Sequence, residues 1–211
     1  MTVKAIIFDM DGVLVDSEPV KAKVWQKVFK KYNVKNANKF FKDRIGNPGL
    51  LITEELIKLH NLRKSPSEIL DEIHQDYIEY IKKYPPVPIK NSIEFLKSID
   101  RNRYLIGLAS SEYMATIVQQ LHSVEICDYF DNVFSGKEDV ARDKPNPDIY
   151  IMVAKKLGLL PSECIAVEDS EVGVLSAKSA GMKVIGFKSP NSGKQDLSGA
   201  DHVYRNLTLI D

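Results

Sequence analysis

The stretch Ala5-Ile6-Ile7-Phe8-Asp9-Met10-Asp11-Gly12-Val13-Leu14-Val15-Asp16-Ser17 decides the fold. Its apolar run, Ala5 to Phe8, ends in two carboxylates separated by one residue and followed by a glycine. A run of that kind is expected to be a buried parallel strand, because helices cover both faces of such a sheet. Carboxylates at its C-terminal end stand in the crevice where open α/β sheets bind ligands. One acid can attack while the other manages protons, and a divalent cation can hold both. That is the equipment for phosphoryl transfer through an aspartyl-phosphate.

A calcium loop is excluded by counting. From Asp9, the fifth position is Val13 and the twelfth is Val20, where an oxygen ligand and a bidentate Glu are required. A plain surface turn explains Gly12 but not why two acids follow an apolar strand.

Working outward, 211 residues suit one large domain or a core with an inserted subdomain, and 44% apolar residues can fill it. The 29 basic and 29 acidic residues balance, so no field exists to capture nucleic acid or a membrane. Cys127 and Cys164 sit in apolar contexts without metal-ligand spacing and read as small core hydrophobes. The apolar stretch at the amino terminus is too short for a signal peptide, and no run is long enough to span a bilayer. The expectation is a cytoplasmic protein, monomeric, with a small phosphorylated metabolite as its partner.

The second half alternates strand and helix patterns. Strands are expected at Tyr104 to Ala109, Asn132 to Phe134, Cys164 to Val167, Lys183 to Phe187 and His202 to Tyr204. Helices are expected at Glu112 to Leu121, Asp148 to Leu157 and Glu171 to Ala180. From about Glu18 to Tyr84 the period is helical throughout, through Val24, Trp25, Val28, Phe29, Leu51, Leu56, Ile57, Leu59, Ile69, Ile73, Tyr77, Ile78 and Ile81. Ser65-Pro66-Ser67-Glu68 is a helix start with a capping box. Pro85-Pro86-Val87-Pro88 marks a stiff return. The fold class is therefore α/β: a doubly wound parallel-sheet, Rossmann-like core with an inserted α-helical cap domain. The core is expected from residues 1–15 and 88–211, and the cap from 16–87, with hinges near Val15–Ser17 and Tyr84–Pro88.

Three later segments join the first because each lies where a sheet strand ends. Ala109-Ser110-Ser111-Glu112 offers hydroxyls and backbone N–H groups at a helix start, a phosphate-binding end or an ordinary N-cap. Asp143-Lys144-Pro145-Asn146-Pro147-Asp148 sets Lys144 in a stiff turn, placed to neutralise a transferring phosphoryl group. Val167-Glu168-Asp169-Ser170 again ends an apolar strand in acids. Neighbouring side chains on a strand diverge, so Asp169 is expected to bind an ion directly and Glu168 to contact its waters. Hard oxygen ligands on two strand ends describe a Mg²⁺ site.

With these motifs in order, and a helical insert after the first, the chain resembles the haloacid dehalogenase-like phosphohydrolases along its whole length. Within them it is similar to the β-phosphoglucomutase and phosphoglycolate phosphatase subgroup. The resemblance implies that Asp9 is the nucleophile and Asp11 the general acid and base. It implies that Ser110, helped by the Ser111 backbone, holds phosphate and that Lys144 pairs with phosphate and nucleophile. Mg²⁺ would rest on the Asp9 carboxylate, the Asp11 carbonyl and Asp169, with Glu168 nearby. The insert would close over the site and read the substrate.

Sugar-phosphate mutases of the subgroup carry a histidine in the first cap helix and an arginine in a cap loop. Here those places offer Val20, Lys21 and Lys23, and the loop Ile45-Gly46-Asn47-Pro48-Gly49-Leu50. Lys21 or Arg44 could substitute, but a lysine is a poor replacement for a guanidinium fork. The expectation is a Mg²⁺-dependent phosphatase acting on a sugar phosphate or similar phosphomonoester. A mutase with the same nucleophile is the alternative, and a phospho-acceptor switch or a binding protein is the alternative of another class.

Overall fold

The first apolar run forms a central strand of the sheet. In the computed structural model, which describes residues 2–210, β1 (Ala5–Phe8) pairs in parallel on both sides. After it come β2 (Val15–Asp16), α1 (Glu18–Lys30), α2 (Ala37–Lys42), α3 (Gly49–His60), α4 (Pro66–Lys83) and β3 (Val87–Pro88). The rest of the chain gives α5 (Lys90–Ser98), β4 (Leu105–Ser110), α6 (Met114–Ser123), β5 (Asn132–Ser135) and α7 (Asp148–Lys156). It ends with β6 (Cys164–Glu168), α8 (Glu171–Ser179), β7 (Lys183–Phe187) and β8 (His202–Tyr204).

The sheet runs β5-β4-β1-β6-β7-β8 and every pairing is parallel. Side chains alternate between its faces. Phe8, Ile106, Leu108 and Val167 pack with Phe95 and Leu96 of α5 and Ile117 and Leu121 of α6. Ala5, Ile7, Ala109 and Ala166 pack with Ile149 and Val153 of α7 and Val174 and Ala177 of α8. Helices thus cover both faces, which is the doubly wound arrangement expected of continuous apolar strands. The strand order reverses around β1, and this is the switch point where such sheets open a crevice.

Between β2 and β3 the chain is helical, and these helices have a core of their own. Trp25 stacks on Phe29 and Phe41 with centroids 5.6 and 5.0 Å apart, and Ile52, Leu56, Ile69, Ile73, Tyr77 and Ile81 close around them. The Ser65 capping box is formed: Glu68 N donates to Ser65 Oγ at 3.3 Å and Ser65 N to Glu68 Oε2 at 2.8 Å.

Several expectations need correction. Leu51 and Leu59 are exposed, because Ile52 and Leu56, one turn apart, define the inward stripe of α3. The sixth helix begins at Met114 with Tyr113 as its cap residue, two positions beyond Glu112. Helix α5 has no counterpart among the expected elements. The two crossings lie side by side in an antiparallel ladder, Val15 opposite Pro88 and Asp16 opposite Val87. Cys164 is buried, with burial pushing its thiol up to about 11, whereas Cys127 is only half-buried. Among the described residues, no helix is long and apolar enough to cross a membrane.

Candidate active site

The site is built from strand ends. Asp9 follows β1 directly, and its N–H continues the ladder by donating to Val167 O at 3.0 Å. Residues 10–15 then fold into one tight loop, with Leu14 N and Val15 N donating to Met10 O and Gly12 N to Val15 O. That loop places Asp11 beside Asp9 on the wall of one cavity of about 190 Å³. Gly12 is required there: it has φ +76°, and a Cβ would stand 1.9 Å from Asp169 Oδ2.

Lys144 reaches the same point from the turn before α7. Its ammonium donates to Asp9 Oδ1 at 2.6 Å, Glu168 Oε1 at 2.6 Å and Ala109 O at 3.0 Å, which uses all of its protons. Glu168 is tied further. Tyr150 OH donates to Oε1 at 2.5 Å and Ser170 Oγ to Oε2 at 3.2 Å, and a Cβ on Gly173 would collide with this carboxylate. Asp169 Oδ2 accepts from Ser192 Oγ. Strand alternation does not send Glu168 and Asp169 apart, because β6 ends at Glu168 and Asp169 lies beyond it. Carboxylate oxygens of Asp9, Glu168 and Asp169 all lie within 4.8 Å of one another.

Burial pushes the Asp9 carboxyl up to about 8, against the pull of Lys144 and with a push from Glu168 and Asp11. Burial also lifts Asp169 well above the usual carboxylate range, and Asp9 and Glu168 add to it. The Lys144 ammonium is opposed by burial, yet Asp9 and Glu168 hold its pKa well above the usual lysine range. Of three buried carboxylates, Asp9 and Glu168 thus share one lysine, while Asp169 has only the Ser192 hydroxyl. A hard divalent cation fits this donor set, since it would relieve both the desolvation and the mutual repulsion.

The turn after β4 departs from its expected form. Ser111 lines the cavity and donates its hydroxyl to Asp143 Oδ1 at 2.7 Å, while Ser110 lies wholly buried behind it. Ser110 Oγ accepts from Glu112 N at 3.2 Å, so it shapes the turn and keeps its own proton available. The amino end of α6 is occupied by Glu138, which accepts from Met114 N. Asp143 accepts from Ser111 Oγ, Lys144 N and Lys137 Nζ, fastening this turn to the lysine loop.

The structure brings a second cluster to the cavity that the spacing of motifs does not announce. Lys21 of α1 lies 3.1 Å from Glu112 Oε1, 3.3 Å from Asp11 Oδ2 and 3.6 Å from Glu18 Oε1. Burial raises Glu18 to about 7, with Lys21 opposing and Asp11 and Glu112 adding. Asp11 Oδ1 and Glu18 Oε2 are buried without a hydrogen-bond partner. The helical insert also meets the core through Tyr77 OH, which accepts from Gln120 Nε2 at 3.0 Å, and through the His74 ring on Tyr113, 4.1 Å between centroids. Gln195 Nε2 donates to Ile45 O at 2.8 Å across the cavity mouth. A larger cleft of about 520 Å³, at the amino ends of β6 to β8, brings together no comparable chemistry.

A doubly wound sheet with a buried carboxylate gripped by a lysine, and further acids beside it at the switch point, has the parts of a hydrolase working on phosphorus or a similar electrophile. The chain belongs to the haloacid dehalogenase-like hydrolases, which it matches over residues 6–187. It is 32% identical over 186 residues to a phosphorylated carbohydrates phosphatase of Thermotoga maritima, covering 86% of this chain and 83% of that one. It is 30% identical over 217 residues to the β-phosphoglucomutase of Bacillus subtilis, covering 98% of this chain and 92% of that one. The crystal structure of β-phosphoglucomutase from Clostridium difficile superposes with a TM-score of 0.79 over 100% of this chain and 94% of that one. At 24% identity, that last likeness concerns the fold.

Proposed function

We propose that this hydrolase is a Mg²⁺-dependent phosphatase that removes phosphate from a small phosphorylated carbohydrate through an aspartyl-phosphate. The observation that carries it is the Asp9 carboxylate, buried at the switch point and gripped by Lys144 at 2.6 Å, with Asp169 and Glu168 alongside. Its family and a carbohydrate-phosphate phosphatase among its relatives support the substrate class.

Asp9 attacks phosphorus, and the bond from phosphorus to the leaving oxygen breaks. Asp11, whose Oδ1 has no other partner, protonates that oxygen. Ser110 and Ser111 receive the phosphate oxygens in their turn. Lys144 balances the charge of Asp9 and of the phosphoryl group. In the second half Asp11 takes a proton from water, water attacks phosphorus, and the bond to Asp9 breaks to release inorganic phosphate. A magnesium ion held by the Asp9 carboxylate, the Asp11 carbonyl and Asp169, with Glu168 behind them, would neutralise charge developing on the transferring group. The insert of α1 to α4 acts as a cap, its stretch 16–87 closing over residues 1–15 and 88–211 to exclude water.

A phosphatase is favoured over a mutase because no cap arginine stands ready to hold a second phosphate. Release of inorganic phosphate from a panel of sugar phosphates tests the proposal. Multiple turnovers are expected with Mg²⁺, and none with Asp9→Asn at unchanged folding. Near-native rates in that variant would overturn the nucleophile. Conversion of β-glucose 1-phosphate to glucose 6-phosphate with little phosphate released would overturn the phosphatase.

A further inference from the structure

The leaving-group side of the cavity carries its own charge arrangement. Among the described residues lining the cavity, Lys21 and Lys144 are the cations. Lys144 has its three protons committed to Asp9, Glu168 and Ala109 O. Lys21 is ringed by Glu112, Asp11 and Glu18 between 3.1 and 3.6 Å, so acids outnumber it on that wall. Arg44, the nearby guanidinium in the insert, turns away: its Nε donates to Glu55 Oε2 at 2.7 Å and its fork lies over Phe40, 3.5 Å from the ring centre. The remaining lining on this side, Ile45, Gly46, Asn47, Val172 and Gln195, is uncharged. Glu18 Oε2 is a buried acceptor without a donor.

Resting on the phosphatase reading above, we infer that Glu18, Lys21 and Glu112 make this wall a charge selector, admitting phosphomonoesters with an uncharged, hydroxyl-rich leaving group and rejecting those with a second anion. A hydroxyl supplies the donor that Glu18 Oε2 needs, and it can also accept from Lys21. A carboxylate or second phosphate would have to draw Lys21 from three acids and then stand among them unpaired, and a site discriminates strongly when buried charges are left unmatched.

Matched substrates test this with the Mg²⁺-loaded enzyme. Glucose 6-phosphate is compared with 6-phosphogluconate, and fructose 1-phosphate with fructose 1,6-bisphosphate, by kcat/KM for phosphate release. The neutral member of each pair is expected to exceed its anionic twin at least tenfold. Glu112→Gln and Glu18→Gln, made separately, are each expected to narrow that ratio, mainly by lowering KM for the anionic twin. Equal or better hydrolysis of the anionic twins, or a ratio unmoved in both variants, would overturn the selector. If p-nitrophenyl phosphate and all four sugar phosphates release nothing, the phosphatase reading itself fails, and the selector with it.

Discussion

Two lysines in this molecule stand among carboxylates, and the difference between their settings matches the proposed division between chemistry and recognition. The side chain of Lys144 is 5% exposed and that of Lys21 is 21% exposed. Beside Lys144, Glu168 is fixed in turn by Tyr150 and Ser170, and the neighbouring Asp169 by Ser192. Around Lys21 two carboxylate oxygens have no partner, and the contacts join α1 of the insert to the sheet side. Any motion of α1 against the sheet breaks the second cluster and leaves the first whole. A site that must meet a transition state benefits from fixed charges. One that must admit and release a substrate benefits from contacts that can be exchanged.

Removing each lysine tests that contrast most directly. Lys144→Gln leaves buried carboxylates uncompensated and is expected to cost about 3–5 kcal/mol of stability and at least about 10²-fold in turnover. Lys21→Gln is expected to change kcat/KM by about tenfold and the melting temperature little, since partly exposed ion pairs contribute about 0–1 kcal/mol. Thermal unfolding and phosphate-release assays read both. Equal damage from the two would erase the distinction.

Asp11 pairs with Lys21 and is proposed as the general acid and base, so the kcat and KM of Asp11→Asn tell which of the two matters more. A fall of about 10²–10⁴-fold in kcat, with KM nearly unchanged, is expected. A change confined to KM would place Asp11 in recognition alone.

Metal and pH sharpen the comparison further. Burial raises Asp9 to about 8 and Glu18 to about 7, and it lifts Asp169 and Glu112 as well. Each of these binds its proton more tightly folded than unfolded. Their contribution to stability is therefore fully present near pH 4 and is lost as pH rises toward 8. Carboxylates lowered by the fold, such as Asp76 and Asp201, act oppositely, but below the usual carboxylate range. Metal-free protein should accordingly melt at lower temperature at pH 8 than at pH 5. Magnesium should restore the loss at pH 8, and EDTA should abolish turnover. A flat melting profile without metal would contradict the burial of these groups. The smallest effect is expected from Gln195→Ala, which removes one bond across the cavity mouth and should raise KM a few-fold, or about 1 kcal/mol.

Much of this was legible along the chain because the physics is local. Strands β1, β4, β6 and β7 read as apolar runs because both faces are covered; Asp9 and Asp169 read as chemistry because each lies at the end of such a run, and Lys144 because prolines stiffen its turn before a helix. The Ser65 cap was legible because its partner is three residues away. What could not be read depends on distance. Lys21 meets Glu112 across 91 positions, the difference between their numbers, and no spacing rule links them. Tyr150 lies in the motif that includes Lys144, yet only the folded arrangement, which brings it to the end of β6, reveals that it holds Glu168. The turn at Ser110–Ser111 was ambiguous for a related reason: where a helix starts within two residues decides which N–H groups remain for a ligand.

The two-rung ladder between Val15–Asp16 and Val87–Pro88 has a wider consequence. Asp16 and Val87 face each other directly, at a separation that a two-residue hairpin turn such as Asn-Gly can bridge. The stretch between them therefore enters and leaves the core at one point, so a change in its length need not rethread the parallel sheet. New specificities could be grafted at this one doorway while the chemistry behind it stays in place.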